Sequence, residues 1–282
     1  MTGKTSDMES NITGGQRLYY ELHGTQGPHL LMVHGLMSSR AQWTPNLKAL
    51  TEFCRPVIVE LFGHGRSPSP KNPEAYFPEN YVRDFETIRR EVGVENWFVC
   101  GQSLGAALTL RYSLLHPGRI TAQIFTNSRS ALSDVGESEN VEKLVRSMLA
   151  MGRGSLDRFP INPSRSRFLD SEIKKALVED IALIDMEGFA NNLLHLIPRC
   201  SVRNLLREIS VPTLLVAGKF DQQFRSLLPI AIENIPALEF IELDGGHAVN
   251  IDAAERFNEA VREFILRYCS RDDKVGSSRP KP

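Results

Sequence analysis

One serine stands where its hydroxyl could act as a nucleophile. The segment Gly101-Gln102-Ser103-Leu104-Gly105 has the pattern G-x-S-x-G, between a short apolar run and an amphipathic stretch. A sharp strand-to-helix turn exposes the serine above a sheet edge and needs small residues two positions before and after it. The N–H groups that begin the following helix can receive a developing negative charge. We therefore expect Ser103 to be a nucleophile; the alternative is a structural turn with an idle serine.

A serine hydroxyl is a weak nucleophile, so it needs a base and a group that orients the base. His247 lies in a Gly-Gly-His loop between the last apolar run and the last amphipathic stretch. Ligands meet parallel sheets at the carboxyl ends of strands, so we expect His247 beside Ser103. The remaining histidines have structural explanations in turns, helix ends or helical segments: His23, His29, His34, His64, His116 and His195.

The orienting acid should fall between the serine and the histidine in the chain. Asp221 follows an apolar run at another strand end and is our candidate, with a turn or N-cap aspartate as its alternative role. Asp244 is the rival, but it lies too close to His247 in sequence for an easy geometry. The loop after the fourth apolar run carries Asn127 and no carboxylate.

An oxyanion that forms on the substrate needs two N–H donors. The residue after the nucleophile, Leu104, supplies one of them. The loop after the first apolar run supplies the other, and there we expect the N–H of Leu36, with Gly35 permitting the bend. His34 is expected to brace this loop.

Short apolar runs alternate with amphipathic stretches along the chain. The runs are residues 29–33, 56–61, 97–100, 120–125, 213–217 and 238–243. Several are nearly continuous in Val, Ile, Leu and Phe, as in strands covered on both faces. The order of elements predicts an α/β fold with a mainly parallel twisted sheet and helices on both faces.

One region breaks this alternation. Residues 130–207 lack a convincing strand and have helical apolar spacing, so we interpret them as a helical insertion in a core of residues 12–129 and 208–269. Residues 1–11 and 270–282 are polar or charged without an apolar period, and disorder is expected there.

Composition narrows the possible partners and location. The 282 residues carry 33 basic and 34 acidic side chains, which gives no reason to expect a nucleic-acid or anionic-membrane partner. The start of the chain does not resemble a secretory signal, and no apolar run approaches the about 20 residues of a membrane span. The four cysteines are scattered, which favours reduced thiols over a zinc site and hence the cytoplasm.

These motifs together resemble the α/β-hydrolase fold family over nearly the whole chain outside the tails. His34-Gly35 is similar to its oxyanion loop, and residues 60–67 (ELFGHGRS) to its D-x-x-G-x-G-x-S turn. Residues 101–105 are similar to its nucleophile elbow. Residues 218–221 and 246–247 are similar to its acid and base loops. The resemblance implies that the insertion is a cap over the active site.

The sequence also departs from parts of the family. Glu60 replaces the usual Asp of its turn, so we expect altered bracing without lost catalysis. A serine nucleophile argues against dehalogenase and epoxide-hydrolase chemistry. The loop after His34 lacks both a GGG run and an HG-x-GPG pattern. The chain is most similar to small bacterial carboxylesterases and lactonases.

The resemblance implies an ester or lactone hydrolase without metal or organic cofactor, acting on a small to medium, fairly apolar molecule as a monomer or homodimer. Candidate pocket residues in the cap, each of which could instead be cap core, are Met148, Met151, Phe159, Phe168, Met186, Phe189, Leu193 and Leu196.

Two alternative functions use the same scaffold. A C–C hydrolase or lyase would act on a carboxylate-bearing substrate, and a small-molecule receptor would retain at most residual activity. Cationic partners for that carboxylate could come from cap arginines: Arg146, Arg153, Arg158, Arg165, Arg167, Arg199 and Arg203.

Overall fold

A seven-stranded sheet organises the protein. The computed structural model describes residues 12–134, 138–159, 161–165 and 171–276. The strands are β1 (Tyr20–Leu22), β2 (His29–Val33), β3 (Arg55–Val59), β4 (Trp97–Gly101), β5 (Ile120–Thr126), β6 (Thr213–Gly218) and β7 (Leu238–Leu243). Their spatial order is β1-β3-β2-β4-β5-β6-β7. Only β1 pairs antiparallel, with β3, and the other pairings are parallel.

Helices cover both faces of this sheet. Their bounds are α1 (Thr44–Leu50), α2 (Pro78–Glu91), α3 (Leu104–Leu115), α4 (Arg129–Leu132), α5 (Ser138–Met151), α6 (Ser171–Ile181), α7 (Met186–Asn191), α8 (Gln222–Arg225), α9 (Leu228–Asn234), α10 (Val249–Asp252) and α11 (Ala254–Gly276). In β2, Leu31 and Val33 pack in the cluster that includes α2 and α3. Leu30 and Met32 face the cluster that includes α11. Successive side chains of a strand point to opposite faces, so both faces must be apolar.

The predicted α/β architecture is confirmed, and each of the six predicted strands is present with bounds within two residues. The sequence analysis missed β1. Its three residues YEL are too few to establish an apolar period, and only pairing with Val57, Ile58 and Val59 of β3 fixes them as a strand.

Residues 130–207 contain helices and, among those that the structure describes, no strand. The last helix is described to Gly276, which is beyond the predicted boundary at residue 269, and the expected disorder of the tail stays a prediction. The apolar period ends near Tyr268, but extending an existing helix costs less than starting one. Residues 1–11 and 277–282 lie outside the described residues.

Cys54, Cys100 and Cys200 are buried thiols, and Cys269 is half-buried. Within the described residues no helix is both long and apolar enough to cross a membrane.

Two buried histidines join the loops that follow β2 and β3. His34 donates from Nδ1 to the Gly35 carbonyl (2.7 Å), and its Nε2 accepts from the Leu61 N–H (3.0 Å). His64 donates from Nδ1 to the Phe62 carbonyl (3.1 Å). Its Nε2 accepts from the N–H of Met37 (3.1 Å). Both ring nitrogens of each histidine are therefore used by backbone groups when the ring is neutral, and the expected bracing role of His34 is present.

Glu60 braces the same turn, as expected for this departure from the family pattern. Its fully buried carboxylate accepts from the Arg66 N–H (2.6 Å) and the Arg40 N–H (3.3 Å), and it pairs with the Arg66 guanidinium (3.0 Å). The longer side chain is thus accommodated by backbone donors on both loops.

Helix α3 passes unusually close to β2. A Cβ at Gly105 would lie 2.1 Å from the Val33 carbonyl oxygen and 2.6 Å from that of His34. We expect Gly105→Ala to lower the free energy of unfolding by about 1–3 kcal/mol, because backbone on both sides must shift. Gly118→Ala is the matched control, since nothing lies within 4 Å of its Cβ position. Equal urea midpoints for the two variants would contradict this view of the packing.

The histidine brace should make stability depend on pH. Burial lowers the pKa of His34 to about 3 and that of His64 to about 4. In the unfolded chain these histidines have a pKa of about 6.5, so unfolding takes up protons between about pH 6.5 and about pH 4. The free energy of unfolding should therefore fall as the pH falls through this window, by up to ~1.4 kcal/mol per pH unit for each histidine.

Urea unfolding between pH 7 and pH 4.5 measures this slope. His64→Gln retains an acceptor for the Met37 N–H without a titrating ring, so it should flatten the slope. His116→Gln, at the half-exposed end of α3, is the control. An unchanged slope in His64→Gln would show that this ring does not carry the effect.

Candidate active site

The carboxyl ends of the parallel strands bring distant segments together. Val33 of β2 pairs with Gly101 of β4, and Gly218 of β6 pairs with Leu243 of β7. The segments that follow these strands therefore begin at one edge of the sheet, where parallel sheets present their ligand sites.

Ser103 occupies a strained turn between β4 and α3. Its φ of 53° and ψ of −112° are rare for a residue with a Cβ and cost on the order of 1–3 kcal/mol. Its carbonyl accepts from the Ser128 hydroxyl (2.6 Å), so the turn is also held from the loop after β5. The side chain remains half-buried at the edge of the sheet.

His247 lies directly beside this serine, as predicted. Its Nε2 is 2.9 Å from the Ser103 Oγ. The Gln102 amide donates to the His247 carbonyl (3.0 Å), so the residue before the nucleophile also positions the histidine backbone. With a proton on Nδ1, Nε2 is an acceptor for the serine hydroxyl.

Asp221 completes the line of hydrogen bonds. Its Oδ2 accepts from Nδ1 of His247 at 2.6 Å, and its Oδ1 accepts from the N–H groups of Gln223 (3.1 Å) and Phe224 (3.2 Å). Burial alone would raise the pKa of the Asp221 carboxyl, but the hydrogen bond and charge of His247 and the backbone donors bring it below its usual value. The carboxylate is therefore held ionised against the imidazole. The alternative N-cap role is also present, because the same side chain caps α8.

The rival acid is elsewhere. Asp244 pairs with Lys219 at 3.2 Å, and its side chain is largely exposed. Asn127, buried in the loop after β5, joins the acid and base loops: its Oδ1 accepts from the Gly218 N–H (3.0 Å) and its Nδ2 donates to the Gly246 carbonyl (3.2 Å). From the sequence, Asn127 is predicted only not to be the acid, and its role in joining the two loops is not predicted.

The loop with Leu36 is held from two sides. The Gly35 N–H donates to the Gln42 side chain (3.2 Å), and the Met37 N–H donates to His64. Met37 has a left-handed φ of 57°, so these contacts stabilise an unfavourable backbone conformation. Leu36 lines the space above Ser103, and Leu104 begins α3 directly after the serine.

Two cavities meet at Ser103. The first chamber, about 460 Å³, extends along the loops after β6 and β7 and is lined in part by Leu177, Phe220 and Ile251. The second chamber, about 370 Å³, extends toward α4 and is lined in part by Arg129 and Ser133. Both chambers share Leu36, Ser103, Ile161, Gln223 and His247. A substrate centred on Ser103 can therefore place one group on each side.

The predicted cap pocket residues do not line either chamber. Within residues 130–207, Met148, Phe159, Met186, Phe189 and Leu193 belong to or pack against an apolar cluster that also buries Met37. Leu196 belongs to the main core, Met151 is 44% exposed, and Phe168 lies outside the described residues. The assignment of Met148, Met151, Phe159, Phe189 and Leu193 to a substrate pocket stays a prediction that these two chambers do not support, because helical spacing marks a buried face without saying what it faces.

None of the described arginines proposed as carboxylate partners lines either chamber. Arg153 and Arg199 donate to backbone carbonyls, and Arg146 pairs with Glu142 on the surface of α5. Arg203 lies 3.5 Å from Asp134, and Arg158 is exposed. Neither the Arg165 side chain nor Arg167 belongs to the described part of the chain.

Sequence reasoning missed several residues around Ser103. Arg129 follows β5 by three positions, so the strand-end rule that selected Asp221 could also have selected it. Asp252 lies at the first chamber and accepts from the Gly246 N–H (2.7 Å); burial raises the pKa of its carboxyl. Phe220 and Ile161 are exposed apolar residues at the chambers, and no sequence pattern separates them from ordinary loop residues.

Comparisons with known proteins find relatives along nearly the whole chain. A "Putative carbamate hydrolase RutD" of Azorhizobium caulinodans is 27% identical over 267 residues, which are 93% of this chain and 98% of the relative. A "Putative 2-succinyl-6-hydroxy-2,4-cyclohexadiene-1-carboxylate synthase" of Bacillus subtilis is 24% identical, covering 90% of this chain and 97% of the relative.

Solved structures share the fold. The enol-lactonase from Burkholderia xenovorans superposes with a TM-score of 0.76 at 22% identity, covering 90% of this chain and 98% of that one. The family model described as alpha/beta hydrolase fold matches residues 28–175. This match covers more than half of the chain, and the chain belongs to the α/β-hydrolase fold family.

Proposed function

We propose that this protein hydrolyses a carboxylic ester or lactone through an acyl-enzyme on Ser103. The observation that carries the proposal is the continuous line of hydrogen bonds from Asp221 through His247 to Ser103, with lengths of 2.6 Å and 2.9 Å. In such a line a neutral imidazole can take the serine proton while the carboxylate stabilises the imidazolium that forms.

The first half of the cycle forms the acyl-enzyme. His247 Nε2 takes the Ser103 proton as Oγ bonds to the carbonyl carbon, and the carbonyl electrons move to oxygen. The N–H groups of Leu36 and Leu104 donate to this oxyanion. When the tetrahedral intermediate collapses, the bond to the leaving oxygen breaks and His247 gives its proton to the departing alcohol.

The second half returns the enzyme to its starting state. His247 takes a proton from water, whose oxygen attacks the acyl carbon. Collapse of this second intermediate breaks the bond to Ser103 Oγ, which regains a proton from His247, and the carboxylic acid leaves. A lactone follows the same steps, except that the alcohol stays attached to the acyl group.

The chambers support an ester or lactone with apolar parts. Leu36, Ile161, Leu177 and Ile251 give the walls near Ser103 an apolar character, as in most small-molecule sites. The similarity to an enol-lactonase supports the lactone side of the proposal. The C–C hydrolase or lyase alternative would use the same serine and histidine. Because the Bacillus subtilis relative is named as a synthase, this alternative is also tested below.

Replacement of the nucleophile is the direct test. We expect Ser103→Ala to lower kcat on nitrophenyl esters and simple lactones by roughly 10⁴- to 10⁶-fold, because the attacking oxygen is lost. An organophosphonate label should add to the Ser103 peptide of the wild type and not to the variant, as measured by peptide mass spectrometry. Retained turnover in Ser103→Ala would overturn the proposal.

The acid has a separate test. Asp221→Asn should lower kcat by roughly 10⁴-fold, since an amide cannot hold His247 with its proton on Nδ1 in the same way. Asp244→Asn is the matched control, because that carboxylate pairs with Lys219 on the surface. An equal loss in both variants would contradict the role of Asp221.

A panel of substrates separates the alternatives. Multiple turnovers on esters or lactones support the proposal, whereas turnover of a vinylogous diketone in their place supports the C–C alternative. A single turnover followed by a stable adduct would indicate a receptor with residual chemistry.

A further inference from the structure

The second chamber differs from the first in its charge. Arg129, Ser130 and Ser133 line one wall, and Ser201 lies on the same chamber. Val141 and Ile197 are among its apolar residues. A polar wall with a guanidinium, reached from the same serine as the first chamber, is suited to one polar group of a substrate whose remainder is apolar.

The exposed side chain of Arg129 contacts a second residue that lines this chamber. Its Nη1 donates to Gln223 Oε1 at 3.2 Å, and Gln223 lines both chambers. A guanidinium has five N–H donors, so this contact leaves donors for a second group. In the described part of the chain, no carboxylate forms an ion pair with Arg129.

The only carboxylate among the described lining residues of this chamber is that of Asp134. It lies 3.5 Å from Arg203, and its side chain is 86% exposed. Its negative charge disfavours a multiply charged group such as a phosphate more than it disfavours a single negative charge. The planar fork of arginine also matches the two oxygens of a carboxylate.

We propose that the second chamber binds a carboxylate of the substrate through Arg129, so that the substrate is an ester or lactone that also carries a free carboxylate. This inference rests on the proposed function, because it places the scissile carbonyl at Ser103 between the two chambers. The Gln223 contact holds the guanidinium at the chamber wall, and the first chamber takes the apolar remainder.

Matched substrates measure this preference. On the acyl side the pair is monomethyl adipate and methyl hexanoate, which have acyl chains of equal length. On the alcohol side the pair is 4-acetoxybutanoate and butyl acetate, which have alcohol chains of equal length. The readout is the ratio of kcat/KM for the charged member to that for the neutral member. We expect the wild type to favour the charged member in at least one pair, and the favoured pair identifies the half of the substrate that enters the second chamber.

Arg129 variants test the cause of the preference. Arg129→Gln should lower the ratio of the favoured pair by about 10-fold, the size of one partly exposed charge-assisted hydrogen-bonded contact. Arg129→Lys should give an intermediate ratio, because it keeps the charge and loses the fork. The control Arg146→Gln, whose arginine pairs with Glu142 on the cap surface, should leave the ratio unchanged. A ratio that Arg129→Gln does not lower would overturn the inference.

Binding keeps this inference separate from the proposed hydrolysis. Calorimetry of monomethyl adipate and acetoxybutanoate with Ser103→Ala, and with Ser103→Ala combined with Arg129→Gln, needs no turnover. Weaker binding in the double variant supports the carboxylate site even if no ester is hydrolysed. Ester hydrolysis by the wild type without a charged-substrate preference, together with equal binding by the two variants, would overturn the carboxylate site and leave the hydrolase standing.

Discussion

The turn at Ser103 is the constraint on which the site depends. A serine with a φ of 53° is unfavourable by itself, and it persists because strand β4 and helix α3 are both fixed by the sheet. The close approach of Gly105 to the Val33 carbonyl brings the helix against β2. The hydroxyl is thereby held at the sheet edge, and the loop that carries Leu36 begins beside it after β2.

The loop with Leu36 connects the site to the cap. Met37 donates its N–H to the buried His64, and its side chain lies in the apolar cluster of the cap with Phe189 and Met148. The residues of this cluster that are predicted from the sequence to bind substrate therefore pack against the loop that carries Leu36 and Met37. Packing of this cluster and the backbone geometry near Ser103 are coupled through Met37 and Leu36, because both residues pack against the cluster and lie in the loop above Ser103.

Much of the fold and the site could be predicted, for a physical reason. Strands buried on both faces give continuous apolar runs, so six strands were located, whereas the three residues of β1 depend on pairing with β3. Ser103, Asp221 and His247 follow strands whose carboxyl ends share one edge, so their meeting could be inferred from chain order. The contribution of Asn127 could not, because its two hydrogen bonds exist only where the β6 and β7 loops come together.

The sequence alone determined the alternation of strands and helices and the positions of Ser103, Asp221 and His247 after strands. Both follow from apolar periodicity and turn chemistry, which depend on residues that are consecutive in the chain. Only the tertiary structure decided what surrounds Ser103. From the sequence, an apolar helix face in residues 130–207 could contact a substrate or neighbouring helices. In the structure, most of its apolar side chains pack against one another and against Met37. Arg129 likewise lines the second chamber only in the folded protein, because its position there depends on contacts between segments that are distant in the chain.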